Sequence, residues 1–371
     1  MKIALVCGET SGDGLGAGLA RRLRELRPGV ELAGVTGPAM REAGVDSWLD
    51  HGVFSIMGYA EALATLPQLL AARRLLLARL RDDRPAALVG IDAPDLNLRL
   101  AAACKKLGTP YIQYVCPSFW AWRPGRAAQL KELCKLVLAV LPFEEKLCAE
   151  QGIKARFVGH RLADELRGGP DERAAARAAL GVAPEAKLVA LLPGSRRREV
   201  KAHEELFAAA AAQCRTRQQA WTFAWAAPRA GLLSAAAAEL GPVHVGGARL
   251  LLQAADAAIL KSGTVTLEAA LAGCPQVVAH RLTGMDRLLV LPKLGKLEER
   301  FFALPNLILG RELAPELMQD RARADAIAAA LERQMAGAGR EATLAGYEEV
   351  RAALAQDADR RAAEAVLAAA G

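Results

Sequence analysis

At 371 residues and 39.3 kDa the chain exceeds what one hydrophobic core usually supports, which predicts two domains. Its 53% hydrophobic content excludes a disordered class, yet no uninterrupted apolar run is long enough to cross a bilayer. A net charge of +7 favours acidic partners; with only 5% aromatic residues and no recognisable nucleic-acid module, these narrow to phosphorylated substrates or an anionic membrane surface.

The first residues, Met1-Lys2-Ile3-Ala4-Leu5-Val6-Cys7, lack the longer apolar stretch and small-residue cleavage site of a signal peptide and read as a buried strand, so a cytoplasmic protein is expected. The first half then alternates strands (Ile3–Cys7, Glu31–Val35, Ala86–Ile91, Tyr111–Val115, Leu136–Val140) with helices (Leu15–Leu26, Leu96–Leu107, Arg126–Leu133, Glu144–Gln151). The strand runs are apolar throughout, which indicates a parallel sheet covered on both faces. Lys187–Leu192, Trp221–Ala224, Pro242–Val245, Ala257–Leu260 and Pro275–Val278 repeat the pattern in the second half. The fold class is therefore α/β, with two doubly wound, Rossmann-like domains. A glycine, proline and charge cluster between Gly159 and Asp171 reads as the linker. It divides the chain into residues 1–163, residues 164–335 and a helical tail, 336–371, expected to pack back on the first domain or on a partner chain.

In open parallel sheets ligands bind outside the carboxyl ends of the strands. The loops at those positions carry the chemistry-bearing residues: Gly8-Glu9-Thr10-Ser11-Gly12-Asp13, Asp92-Ala93-Pro94-Asp95 and Cys116-Pro117-Ser118-Phe119-Trp120-Ala121-Trp122-Arg123 in the first half, and Gly194-Ser195-Arg196 and Ser262-Gly263-Thr264 in the second. The two sets are expected to face each other across a cleft.

Ser262, Gly263 and Thr264 join a buried strand to a helix, where unpaired N–H groups and two hydroxyls converge on an anion. The alternative is a simple helix cap. The Gly194-Ser195-Arg196 turn shifts the balance, because Arg196 could grip the same anion bidentately. Glu268, one turn into the helix, is suited to hydroxyl donors such as those of a ribose. In the first half Asp92 follows four apolar residues and precedes Pro94; a carboxylate partly buried there can serve as a general base, or Asp92 and Asp95 can cap the following helix. Glu9 and Asp13 admit the same two readings. Trp120 and Trp122 beside Arg123 form either a stacking surface for a sugar or ordinary packing.

Gly12-Asp13-Gly14-Leu15-Gly16-Ala17 fits the dinucleotide fingerprint only formally, since the glycines come late after the strand and the second strand ends without an acid. Neither a Walker loop nor an Asp-x-Asp pair is present. The seven cysteines are scattered and the five histidines isolated, so neither a metal nor a cofactor is expected. Residues Thr65 to Arg81 form an amphipathic helical pattern, with Leu63, Leu66, Leu70 and Leu77 near one face, Leu69, Leu76 and Leu80 flanking it, and Arg73, Arg74, Arg79 and Arg81 interspersed. That is either a core-packing helix or a membrane-surface one.

Taken together, Gly8-Glu9-Thr10-Ser11-Gly12-Asp13, Val89-Gly90-Ile91-Asp92-Ala93-Pro94-Asp95-Leu96-Asn97, Pro117-Ser118-Phe119-Trp120-Ala121-Trp122-Arg123, Leu192-Pro193-Gly194-Ser195-Arg196, Ser262-Gly263-Thr264 with Glu268, and Leu304-Pro305-Asn306 closely resemble the lipid-A-disaccharide synthases, nearly end to end and in order. The resemblance implies a glycosyltransferase-B fold and a metal-independent inverting transferase. It further implies that 2,3-diacylglucosamine passes from UDP-2,3-diacylglucosamine to the 6-hydroxyl of 2,3-diacylglucosamine 1-phosphate, giving a β-1,6 disaccharide 1-phosphate and UDP. On this reading Asp92 is the base, and Glu9 either orients the acceptor or supports Asp92. Gly194, Ser195, Arg196, Ser262, Gly263, Thr264, Glu268 and Asn306 hold UDP, and Ser11, Asp13, Trp120, Trp122 and Arg123 contact the acceptor or a sugar. Because both substrates are acylated, the enzyme is expected to sit peripherally on the cytoplasmic face of the inner membrane, through Leu63, Leu66, Leu69, Leu70 and Arg73, and the tail could support a homodimer. The rival readings are another UDP-sugar transferase or epimerase of the same fold, and a membrane-associated UDP-sugar-binding protein without turnover.

Overall fold

A computed structural model describes residues 1–54, 66–120, 123–282 and 301–371. Its strands are β1 (Lys2–Cys7), β2 (Glu31–Thr36), β3 (Asp46–Asp50), β4 (Ala87–Ile91), β5 (Tyr111–Tyr114), β6 (Leu136–Ala139), β7 (Ala155–Phe157), β8 (Lys187–Leu192), β9 (Trp221–Ala227), β10 (Val243–Val245), β11 (Ala257–Leu260), β12 (Gln276–His280) and β13 (Glu316–Met318). They form two sheets, ordered β3-β2-β1-β4-β5-β6-β7 and β10-β9-β8-β11-β12-β13, with parallel pairing. In each, the strand order reverses beside the first strand of its half, at β1/β4 and at β8/β11, which puts the loops after those strands at the topological switch point.

Central strands form where the sequence offers unbroken apolar runs: every residue of β4 and of β11 is fully buried. The edge strands β3, β7 and β13, absent from the expected set, are polar and half exposed, and they take their strand character from one neighbour only. Two compact units result. Met1–Asp164 joins with Leu354–Gly371, and Glu165–Ala353 forms the other. The helix Gly337–Leu354 belongs to the second unit, where Tyr347 Oη accepts a hydrogen bond from Gln276 at 3.1 Å. Only the last helix, Ala358–Ala370, returns to the first unit; it lies along Thr10–Leu26, so closely that a Cβ at Gly18 would collide with Asp359. Its apolar face (Ala362, Ala365, Val366) is thereby buried within the chain. No helix among the described residues is long and apolar enough to cross a membrane.

Candidate functional site

In the first unit, β4 ends in a turn that non-glycine residues rarely adopt. Asp92 has φ 49° and Ala93 φ 38°, ψ 57°, both left-handed, before Pro94 opens the helix Pro94–Leu107. Left-handed backbone costs roughly 1–2 kcal/mol for each such residue, so the surroundings must impose it. Two buried carboxamides do so. Asn97 Nδ2 donates to the Asp92 carbonyl at 2.9 Å and to that of Ile91 at 3.3 Å. Gln113 Nε2 donates to the carbonyls of Asp92, Tyr114 and Val115, each at 3.2 Å, and Val115 is itself left-handed with φ 71°. The Tyr111 hydroxyl donates to Gln113 Oε1, which sets the orientation of that amide. Two glycines make room: a Cβ at Gly90 would lie 2.5 Å from the Tyr111 hydroxyl, and one at Gly8 would lie 2.7 Å from Ala93 Cβ.

The turn presents Asp92 to a cavity of about 510 Å³. Burial raises the Asp92 carboxyl above the usual carboxylate range, and the nearby Glu9 charge raises it further, against a hydrogen bond from the Ala93 N–H and the attraction of Arg126. Asp92 does not cap the helix, whose N-cap is Ala93. Glu9 lines the same cavity, with Phe54, Leu69, Leu76, Leu96 and Leu100 as apolar wall.

The other first-half candidates separate. Asp13 is only 2% exposed and accepts from the backbone N–H groups of Gly37, Ala39 and Met40 at 2.8–3.0 Å, so its carboxylate is spent on holding the helix Pro38–Glu42. Ser11 is exposed on the first turn of its helix. Trp120 is half-buried and packs edge-on against Phe143, with centroids 5.2 Å apart. Trp122 lies outside the described residues. Arg123 pairs with Asp95 at 2.9 Å, and Arg126 pairs with the same carboxylate at 2.8 Å.

Of the expected membrane residues, Leu63 lies outside the described residues and Leu66 opens the observed helix, Leu66–Asp83. Its core face is not the one the pattern suggested. Ala72, Leu76 and Leu80 are buried and Leu69 is half-buried, whereas Leu70, expected on the main apolar face, is 44% exposed, as is Leu75 at 39%. Leu69 and Arg73 line the Asp92 cavity.

In the second unit, a cavity of about 540 Å³ gathers Gly194, Ser195, Arg196, Glu199, Lys261, Ser262, Gly263, Thr264 and Glu268. Gly194 and Gly263 are needed for conformation, with φ 131° and 157°. Glu199 Oε2 accepts from the N–H groups of Ser195 and Arg196 at 2.9 and 3.2 Å, and Glu199 Oε1 accepts from Lys261 at 3.2 Å. These bonds hold the Glu199 carboxyl below its usual value although burial opposes them. Arg196 extends into solvent, its side chain 81% exposed. Glu268 pairs with Arg249 at 3.3 Å. Ser262 Oγ donates to the Phe302 carbonyl at 3.4 Å, and Thr266 Oγ1 accepts from Leu304 N–H at 3.1 Å, so the segment from Phe301 to Asn306 runs beside the loop.

Asn306 has a different task from the expected nucleotide contact. It is fully buried; its amide donates to the Ala314 carbonyl and to Glu316 at 2.7 and 2.8 Å, and its carbonyl accepts from Leu313 and Ala314 N–H. With that capacity spent internally, it braces the segment that flanks the loop. Glu316, unremarked in the sequence, completes the brace by accepting from Phe302 and Ala303 N–H at 2.9 and 3.0 Å. His203 ties the helix Arg197–Arg217 to the end of β12: Nε2 accepts from Arg281 N–H at 2.9 Å, so the proton sits on Nδ1 and donates to the Glu199 carbonyl at 2.7 Å. Gln113, Glu199 and Glu316 carry no motif signal of their own, and Asn97 closes the Val89–Asn97 string without a role that the string itself indicates; a buried amide or acid near a strand end was the hint available.

The family model for lipid-A-disaccharide synthetase matches residues 3–370. This chain belongs to the lipid-A-disaccharide synthases. It is 42% identical over 373 residues to the synthase of Pseudomonas fluorescens (strain Pf0-1), covering 99% of this chain and 97% of that one. To the synthase of Erwinia tasmaniensis it is 41% identical over 377 residues, covering 99% and 98%. Among solved structures, the UDP-GlcNAc 2-epimerase of Neisseria meningitidis bound to UDP-GlcNAc superposes with a TM-score of 0.65 at 11% identity, over 99% of both chains. The calicheamicin glycosyltransferase CalG4 superposes with a TM-score of 0.58 at 19% identity, over 99% of this chain and 98% of that one. These likenesses establish the glycosyltransferase-B fold for a lipid-A-disaccharide synthase, and the enzyme is a glycosyltransferase.

Proposed function

We propose that the reaction is inverting transfer of 2,3-diacylglucosamine from UDP-2,3-diacylglucosamine to the 6-hydroxyl of 2,3-diacylglucosamine 1-phosphate, with Asp92 as general base. The observation that carries the assignment is the Asp92 turn: a carboxyl on a strained, clamped backbone, raised by burial and by Glu9, lining a cavity with an apolar wall. A raised pKa makes Asp92 a better proton acceptor once ionised. It takes the hydroxyl proton as the oxygen attacks the anomeric carbon and the bond to UDP breaks on the opposite side, so one displacement inverts the centre. The repulsion from Glu9 helps to keep Asp92 basic.

On the second unit, Arg196, Ser262, Gly263 and Thr264 receive the diphosphate and Glu268 the ribose. Preorganised donors of this kind stabilise charge as it develops on the leaving group. Gly194 and Ser195 shape the turn that carries Arg196, and Asn306 acts through the segment it braces. The acyl chains require the enzyme to meet a membrane surface from the cytoplasmic side, with Leu70 as the exposed apolar candidate on its helix. Dimerisation through the last helix is not needed for this reading, since its apolar face is already covered.

The test is mass spectrometry of products from purified enzyme, in detergent and with EDTA, given both acyl substrates. A tetra-acyl disaccharide 1-phosphate appearing with UDP supports the reading. Release of UDP without disaccharide overturns the acceptor assignment, and absence of turnover with or without magnesium favours the binding-protein rival.

A further inference from the structure

The Asp92 cavity contains two cations that the proton transfer does not use. Arg73 lies between Leu69 and Leu76 on one cavity-lining face of the helix Leu66–Asp83, and Arg99 lies beside Leu96 and Leu100 on the helix Pro94–Leu107. Both arginines are exposed, and Leu69 and Leu96 beside them are half-buried, so they still present apolar surface to the cavity. Each helix thus contributes an apolar floor with a guanidinium beside it. Among the described residues neither arginine makes an ion pair. Arg99 acts on Asp95 only through its charge, and that carboxylate is already paired by Arg123 and Arg126. Glu9, Asp92 and Asp95 also line the cavity, yet none of them forms an ion pair with Arg73 or Arg99, so these two guanidiniums are left to meet an incoming anion. A phosphate monoester, with a charge of about −1.5 to −2 at neutral pH, supplies the partner both lack.

We propose that Arg73 and Arg99 are the subsite for the phosphate of the acylated acceptor, with the part-exposed Leu69 and Leu96 beside them receiving one of its acyl chains. This inference rests on the reaction proposed above. It makes the cavity selective for an anionic amphiphile: a neutral acyl sugar satisfies the floor and leaves both cations uncompensated, whereas a short sugar phosphate satisfies the cations and leaves the floor in water. The same guanidiniums could meet phosphate from another source, the head groups of a bilayer, and the two sources are separable.

The experiment compares the intact wild type with Arg73→Ala/Arg99→Ala, using 2,3-diacylglucosamine with and without its 1-phosphate. Turnover gives the specificity, and binding of each acceptor followed by native mass spectrometry gives a readout that does not depend on turnover. The expected result is a loss of about 10- to 100-fold in kcat/KM for the phosphorylated acceptor, as befits charge-assisted hydrogen bonds, with the dephosphorylated acceptor and the KM for the UDP-sugar little changed. Discrimination between the two acceptors collapses accordingly. The doubly conservative Arg73→Lys/Arg99→Lys variant, which keeps the charge, should retain most of that discrimination and controls for folding. Equal losses on both acceptors, or undiminished discrimination, overturn the proposal. Weaker binding to phosphatidylglycerol vesicles with discrimination intact assigns the arginines to the bilayer instead. If the wild type turns over neither acceptor, the reaction assignment fails, and preferential binding of the phosphorylated acceptor by the wild type but not the alanine variant still decides the subsite.

Discussion

The two loop sites solve the handling of charge in opposite ways. Around Asp92 the strain lies in the backbone, which Asn97 and Gln113 clamp at its carbonyl, and among the described residues no cation lies at hydrogen-bond distance from the carboxylate. At the second unit's loop site the special conformations fall on Gly194 and Gly263, and the charges satisfy one another: Glu199 with Lys261 and two N–H groups, Glu268 with Arg249. On the proposed assignment, the group that takes a proton is kept basic by denying it partners. A cradle for a large anion can be internally paired when empty, because the ligand supplies replacement partners.

That contrast is broken most severely at Asp92. Asp92→Asn should lower kcat by roughly 10²–10⁴-fold, the usual worth of a general base, while UDP binding stays intact. The same variant should melt at a higher temperature at neutral pH. A carboxyl raised by folding binds more protons in the native state than in the unfolded one, so the stability it contributes falls as pH rises through that window. Asparagine also tolerates left-handed backbone. Below the window the two melting curves should coincide; a difference that persists there would show that burial of the charge was not the cause.

Next in size is the clamp. Gln113→Leu leaves the Asp92, Tyr114 and Val115 carbonyls without their amide, and a small displacement of a catalytic group can cost as much as 10²-fold, so kcat should fall about 10- to 100-fold. The KM for the UDP-sugar should not move, and a folded variant with wild-type kcat would remove Gln113 from the mechanism. In the second unit, Glu199→Gln weakens the bonds that shape the Ser195–Arg196 turn. A lost cap is worth ~1 kcal/mol, so Kd for UDP, by calorimetry, should rise about fivefold. Tighter binding would mean that Glu199 competes with the diphosphate for those N–H groups.

The gentlest change is Glu9→Gln. It removes the like charge that helps to raise Asp92, so the acid limb of the kcat/KM profile should move to lower pH: Asp92 must be ionised to accept the proton, and without Glu9 it ionises earlier. An unmoved limb would separate Glu9 from the site.

The central strands and the loops after β1, β4, β8 and β11 were legible because full burial on both faces demands unbroken apolar runs and because turns to helices demand small or acidic residues. The edge strands β3, β7 and β13 were not, since a strand covered on one side needs no such run. Asp13 and Asn306 stood in distinctive motifs, yet their side chains are spent on backbone N–H and carbonyl groups up to 27 residues away in sequence. On the helix Leu66–Asp83, leucines are so dense that several faces look apolar, and packing chose the one with Ala72, Leu76 and Leu80.

Sequence alone therefore determined the fold class, the family and which loops carry chemistry, because these follow from local pattern and motif. Tertiary structure decided which polar side chains are free to act and which are bracing. That distinction depends on partners brought together from distant strands, as Gln113 and Asn97 are at the Asp92 carbonyl, and no spacing along the chain encodes it.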